Sequence, residues 1–377
     1  MRIVADENMA AARAAFAGWG ELLLRPGRTL TAADVAAADA LFVRSVTRVD
    51  ADLLAGSRVR FVGSATIGID HVDSDWLREQ GIGFAHAPGC NAAAVADWVV
   101  AALAAFTRDR RHRLGDGSAG IIGAGNVGSR VARRLHALGY EVMCCDPPRA
   151  AAEGDAGFVD LERALACDVV SLHVPLTTSE PCPTHHLLDA AALAMIPPDA
   201  VLLNAARGGV VDEAALCERL DRGPPLHVAL DTWVGEPDID LSVLERVALG
   251  SPHVAGHSLE GRLRGTAMIA AAAARHFGRE HAWDWQRELP PGPGAVAGED
   301  FVTAILHAHD PHRDDADLRA LAHVDAQARG EAFDRLRRDY PLRREFSAWE
   351  VPPGRGWLRA AGFGGESGSG SSYGGAA

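Results

Sequence analysis

The stretch AGIIGAGNVGSRVARRLHALG (residues 119–139) decides the fold. It opens as a short apolar strand, passes through Gly123-x-Gly125-x-x-Gly128, and continues as a helix carrying Val127, Val131, Leu135 and Leu138. That apolar stripe is what a helix packed on a sheet needs. A glycine-rich turn alone is a weak signal. Here it stands between a strand and a helix, and a second strand, EVMCCD, ends in Asp146, 18 residues past the third glycine. Those parts make a dinucleotide-binding βαβ unit. One glycine allows the tight turn, one lets a pyrophosphate come close, and one lets helix and strand touch. Asn126 and Val127 complete the loop where the helix N-terminus offers amide donors. A carboxylate at 146 accepts hydrogen bonds from a ribose and repels a 2′-phosphate, so the expected cofactor is NAD, not NADP.

On either side of this unit, apolar runs alternate with helical patterns. RIVAD, ALFVRS and RFVGSA precede it, while DVVSLHVP, AVLLNAA and HVALDTW follow it. The alternation predicts parallel sheets wrapped by helices, an α/β fold. NAAAVADWVVAALAAF (91–106) predicts a buried helix with Asn91 as its N-cap. PPGPG (290–294) marks a break, and GFGGESGSGSSYGGAA (362–377) is a low-complexity tail expected to be disordered.

A chain of 377 residues is too long for one core, so two or three domains are expected. Its 37 basic and 50 acidic residues leave a formal net charge of −13, which repels nucleic acid; the clearest basic run, RDRRHR (108–113), is short. No apolar run is long enough to cross a bilayer, and MRIVADENMAAA lacks a signal-peptide layout. Six cysteines without a CxxC pair suit reduced thiols in the cytoplasm. Sixteen histidines without an HExxH spacing give no reason to expect a metal.

Three ionisable residues follow three strands: Arg207 after AVLLNAA, Glu236 in GEP after HVALDTW, and His253 in SPHVAG. In doubly wound sheets, ligands bind at the carboxyl ends of strands. Oxidising a 2-hydroxy acid needs a base for the hydroxyl proton, and histidine serves near neutral pH. A neighbouring carboxylate orients the imidazole. An arginine grips the substrate carboxylate with two parallel hydrogen bonds.

GIDHVD (68–73), GAGNVG, NAARGGVVDEAAL, LDTWVGEP and SPHVAG together resemble the D-isomer-specific 2-hydroxyacid dehydrogenases over residues 1–280. The resemblance implies that Arg207 clamps substrate, Glu236 tunes the histidine and His253 transfers the proton. ADENM, FVRSVTRV (42–49), CDPPR (145–149), PTHHLLD (183–189), HVAGHSLEGRLRGT (253–266) and HRDDADLR (312–319) are similar to one branch of that family. That branch oxidises a phosphorylated 2-hydroxy acid in pyridoxal phosphate biosynthesis, and the likeness covers nearly the whole chain. It implies two doubly wound Rossmann-like domains plus a small C-terminal α+β dimerisation domain, and hence a homodimer. The expected division is 1–94 with 258–286 for substrate, 95–257 for NAD, 287–361 for dimerisation, and the tail from 362.

By the same likeness Ser45, Thr66 and His257 contact substrate, and Asp146, Val174, Asp231 and Gly256 contact NAD. Backbone amides around Ile67–Ile69 are expected to hold the substrate carboxylate. Arg44, next to Ser45, is a candidate for the phosphate; Arg343 and Arg344, lent across a dimer, are weaker ones. His257 replaces a usual tyrosine and, being titratable, is expected to make binding pH-dependent. Val174 replaces a common threonine and leaves only backbone contact. The same residues also fit a dehydrogenase of glycerate or phosphoglycerate, and the fold also serves NAD-sensing, corepressor-like binding proteins.

Overall fold

The computed structural model describes residues 1–154, 157–179 and 181–365. Two parallel sheets organise it. The first contains β1 (Arg2–Asp6), β2 (Glu21–Arg25), β3 (Ala40–Val43), β4 (Phe61–Ser64) and β5 (Gly83–Ala85), in the order β2-β1-β3-β4-β5. The second contains β6 (Ser118–Ile122), β7 (Glu141–Cys145), β8 (Val169–Leu172), β9 (Val201–Asn204), β10 (His227–Leu230) and β11 (Leu249–Gly250), ordered β11-β10-β9-β8-β6-β7. Every strand pair is parallel. In each sheet the chain steps to one side of its first strand and then returns to the other. This switch point is where α/β proteins open a ligand crevice.

β3, β8 and β9 are buried at every position, which is why they read as continuous apolar runs. Three strands gave no such signal. β2 is an edge strand without a fully buried residue, and β5 and β11 have three and two residues.

Helix α1 (Ala92–Arg108) is enclosed from Ala92 through Phe106 and forms one core with the second sheet and the C-terminal unit. Asn91 stands at its N-cap, but its side chain caps nothing; its Oδ1 is buried without a partner. The asparagine instead lies against Gly256, where a Cβ would collide with it, and against Gly261, where a Cβ would press on it at 3.1 Å. Within α1, Asp97 pairs with buried Arg134 of α2 (Gly128–Leu138) and accepts the Phe346 amide at 3.0 Å. Ser258 caps α3 (Leu259–Phe277), which returns the chain to the first sheet, where Ile269 and Ala270 pack with Ile3, Phe42 and Phe61.

The C-terminal unit contains α4 (Phe301–Ala308), α5 (Pro311–Arg319) and α6 (Arg329–Arg338). Among its described residues the strand content is a single bridge between Ala295 and Glu350, so helix dominates where α+β was expected. Packing also runs past 361. Phe363, in the segment expected to be a disordered tail, is buried and stacks on Phe346 at 4.5 Å. The rest of that segment, 366–377, lies outside the described residues. No described helix is long and apolar enough to cross a membrane, and all six cysteines are free.

Candidate active site

The glycine loop lies between β6 and α2. Gly123 has φ 87°, and a Cβ there would sit 2.8 Å from the Val174 nitrogen and Cγ1. A Cβ on Gly128 would strike the Gly123 carbonyl, so helix and turn touch only because both are glycine. Gly125 is exposed, with nothing within 4 Å of its missing side chain. Asn126 rests on Gly89, and Val127 stands at the N-cap of α2. Asp146, at the end of β7, accepts the amides of Ala124 at 2.8 Å and Arg149 at 3.1 Å, which fixes its carboxylate beside the loop. Open space over Gly125, the amide end of α2 and a flanking carboxylate fit a dinucleotide without a 2′-phosphate.

Arg207, Glu236 and His253 leave the carboxyl ends of β9, β10 and β11, three adjacent strands. The Asn204 side chain donates to the Arg207 carbonyl at 2.9 Å, which sets the turn after β9. Gly208 then abuts the backbone of Trp233 and Val234, just before Glu236. The Arg207 guanidinium reaches over to the first sheet's loops. Its Nε and Nη2 both donate to Asp70 at 3.0 Å, and a Cβ on Gly68 would collide with Nη2.

His253 Nδ1 meets Glu236 Oε2 at 2.8 Å, while Glu236 Oε1 accepts the Trp233 amide at 2.9 Å. Burial alone would raise the Glu236 pKa. The His253 ring with its hydrogen bond, the charge of Arg337 and the Trp233 amide outweigh that and hold it below its usual value. An imidazole tethered through Nδ1 to a carboxylate keeps Nε2 available for proton exchange. Asp231, only 1% exposed, holds the His253 loop by accepting Ser251 Oγ at 2.6 Å, the Val254 amide at 2.7 Å and the Ala255 amide at 3.0 Å. The resemblance marked Asp231 as a cofactor contact; the structure shows it anchoring the His253 loop, a task that spacing did not reveal.

Thr66 Oγ1 bonds Ser64 at 2.8 Å and the Gly68 carbonyl at 3.2 Å; Ser64 in turn bonds His71 Nε2 at 3.0 Å. Burial pushes His71 down to about 4, so its neutral ring braces the 66–70 loop at physiological pH. Ser45 is exposed just beyond β3. The Arg44 guanidinium beside it makes no hydrogen bond to a described residue and shares a cavity with His257 and Arg337.

Two expectations need correcting. His257 does not serve as a titrating group near neutral pH: burial, then the charges of Arg337 and Arg44, press its ring well below the usual histidine range. Arg343 and Arg344 are engaged within their own chain. Arg343 donates to the Ala255 and Ala94 carbonyls, and Arg344 to Glu260 at 2.6 Å and to the Pro290 and Pro291 carbonyls. The sequence reading missed Asp70, Ser64, His71 and Arg337. Asp70 and His71 sat inside the quoted GIDHVD motif, but nothing local marked Arg337.

Comparison with known proteins agrees with this geometry. Residues 92–255 match the family described as D-isomer specific 2-hydroxyacid dehydrogenase, NAD binding domain, and residues 294–358 match a domain of unknown function, DUF3410. The chain is 48% identical over 368 residues to the erythronate-4-phosphate dehydrogenase of Salinibacter ruber, covering 93% of this chain and 94% of that one. It is 47% identical over 364 residues to the same enzyme of Marinobacter nauticus, with the same coverage. A Thermus thermophilus crystal structure aligns with TM-score 0.62 and 28% identity, covering 74% of this chain and 98% of that one. D-lactate dehydrogenase from Aquifex aeolicus, solved with NAD and lactic acid, shares the fold at TM-score 0.61 and 23% identity, covering 74% and 96%. The chain is an enzyme with an NAD-binding domain, and it belongs to the erythronate-4-phosphate dehydrogenases within the D-isomer-specific 2-hydroxyacid dehydrogenase family.

Proposed function

We propose that the chain oxidises 4-phospho-D-erythronate at C2, giving (R)-3-hydroxy-2-oxo-4-phosphooxybutanoate for pyridoxal 5′-phosphate biosynthesis. The observation that carries this reading is the Glu236–His253 pair at 2.8 Å, on the strand end next to an arginine directed at the Gly68 loop. His253 Nε2 takes the C2 hydroxyl proton, and Glu236 stabilises the imidazolium that results. Arg207 exchanges Asp70 for the substrate carboxylate and polarises the C2 oxygen, with the Ile67–Ile69 amides on the far side. Gly123, Gly125, Asn126, Val127, Gly128, Asp146, Val174, Asp231 and Gly256 would hold NAD, which would accept the hydride from C2. Ser45, Thr66, His257 and Arg44 hold the rest of the substrate.

The division into 1–94 with 258–286, 95–257 and 287–361 is part of the same reading, supported by the return of α3 to the first sheet. So are a cytoplasmic location and a homodimer built on the C-terminal unit, where Leu342 is 64% exposed. Light scattering of the purified chain tests the dimer. For the activity, NADH formation is followed with 4-phospho-D-erythronate, D-glycerate and 3-phospho-D-glycerate. Preference for the first supports the proposal. Folded, NAD-binding protein that prefers another acid, or oxidises none, overturns it.

A further inference from the structure

Arg28, Arg44, His257, Asp334, Arg337 and Arg338 line a cavity of about 140 Å³ between the first sheet and α6 of the C-terminal unit, with Glu7 on the same wall. Arg28 is paired with Asp334 across it. Arg44 and Arg337 are not so matched. Neither guanidinium makes a hydrogen bond to a described residue, and Arg337 Nε is buried without a partner. Arg262 stands close by, donating to the Asn8 carbonyl at 3.2 Å while its own Nε is also buried and unpartnered. Burial disfavours the Arg44 charge most; Asp6 favours it, and the repulsion of Arg262 and Arg337 opposes it. Partly buried guanidinium groups that lack a carboxylate partner of their own are unfavourable unless an anion joins them. The planar fork of arginine suits a phosphate.

The cavity is linked to the catalytic pair through Arg337, which lines it and acts on Glu236 by its charge. The charge of Arg337 helps to lower the Glu236 pKa, and it adds to burial in pressing the His257 ring below its usual range. A neutral imidazole among cations remains a hydrogen-bond donor that adds no further charge.

We infer that Arg337, on α6 of the C-terminal unit, joins Arg44 in holding the terminal phosphate of the substrate, in the same chain that carries Arg207, Glu236 and His253. The C-terminal unit thereby completes its own chain's active site and reads substrate length and charge. The inference rests on the proposed function, and the test separates the two.

Full-length wild type, Arg337→Gln and Arg337→Lys are compared on 4-phospho-D-erythronate and on D-erythronate, with inorganic phosphate as a competitive inhibitor. The glutamine variant should raise KM for the phosphorylated acid roughly ten- to a hundredfold, the range for a lost hydrogen bond to a charged group. The effect on D-erythronate should be much smaller, inhibition by inorganic phosphate should weaken in parallel, and lysine should restore part of both. Equal losses on the two acids, or unchanged phosphate inhibition, would overturn the assignment of Arg337. If the glutamine variant fails to fold, the lysine variant and its phosphate inhibition decide. A wild type that does not prefer the phosphorylated acid defeats the proposed function itself.

Discussion

The two sheets share a topology but present different turns at their first strands. After β6 the chain reads GAGNVG and enters the eleven-residue helix α2. After β1 it reads DENMAA and enters a four-residue helix, Ala12–Ala15. At the second turn the backbone is bare above Gly125. At the first, Asp6 is buried with a carboxylate oxygen lacking any partner, and the short helix has almost no aligned dipole to offer. A pyrophosphate suits the second turn, whereas the first offers neither bare backbone nor an aligned run of amides. The same fold therefore makes one lobe for the cofactor and one for the substrate, and the difference resides in a handful of turn residues.

The comparison breaks most visibly at the histidine. His253→Ala should lower kcat by roughly 10²–10⁴-fold, the usual worth of general acid–base catalysis, with NAD affinity nearly unchanged in a fluorescence titration. A small loss, or an equal loss of NAD binding, would show that the pair with Glu236 serves structure instead.

Gly125→Asp would give the second turn the acidic character of the first. A carboxylate facing the pyrophosphate costs several kcal/mol, so NAD affinity should drop about a hundredfold or more while the melting temperature holds. Retained affinity would mean that the dinucleotide does not pass over Gly125.

Acid should weaken both lobes through one histidine each. Burial pushes His71 down to about 4 and His173 down to about 3, from an ordinary 6.5. Between 6.5 and those values the unfolded chain binds the extra protons, so stability is complete above 6.5 and falls as pH drops toward 4 and then 3. Melting temperatures measured from pH 7.5 to 4.5 should decline below pH 6.5, and His71→Asn should flatten part of the decline if it folds. A melting temperature independent of pH across that window would contradict the burial of both rings.

The smallest effect concerns the ion pair that joins the lobes. Asp70 is more than half exposed, so its hold on Arg207 is worth about 0–1 kcal/mol. Asp70→Asn should release the guanidinium and lower substrate KM by no more than about fivefold, with kcat nearly constant. An increase in KM would mean that Asp70 orients Arg207 rather than competing for it.

Several elements were legible in the sequence alone. The glycine loop, Asp146 and the continuous strands β8 and β9 were readable because strand, turn and helix signals are local. Arg207, Glu236 and His253 could be placed at strand ends, although their convergence needed the order β9-β10-β11. Edge strand β2 and the two-residue β11 carried too little periodicity to register. Asn91 occupied a cap position and yet served to wedge two glycines, because its neighbours come from residues more than 150 positions away.

By itself the sequence determined that an NAD-type loop stands between a strand and a helix, and which side chains leave the neighbouring strand ends. Turn geometry and burial periodicity act over a few residues, so composition at that range is enough to specify them. Only the tertiary structure decided that Arg207 meets Asp70, that Asp231 anchors the loop of His253, and that α6 brings Arg337 beside Arg44. Those contacts join segments far apart in the chain, and they form only when separate apolar faces are buried together around α1.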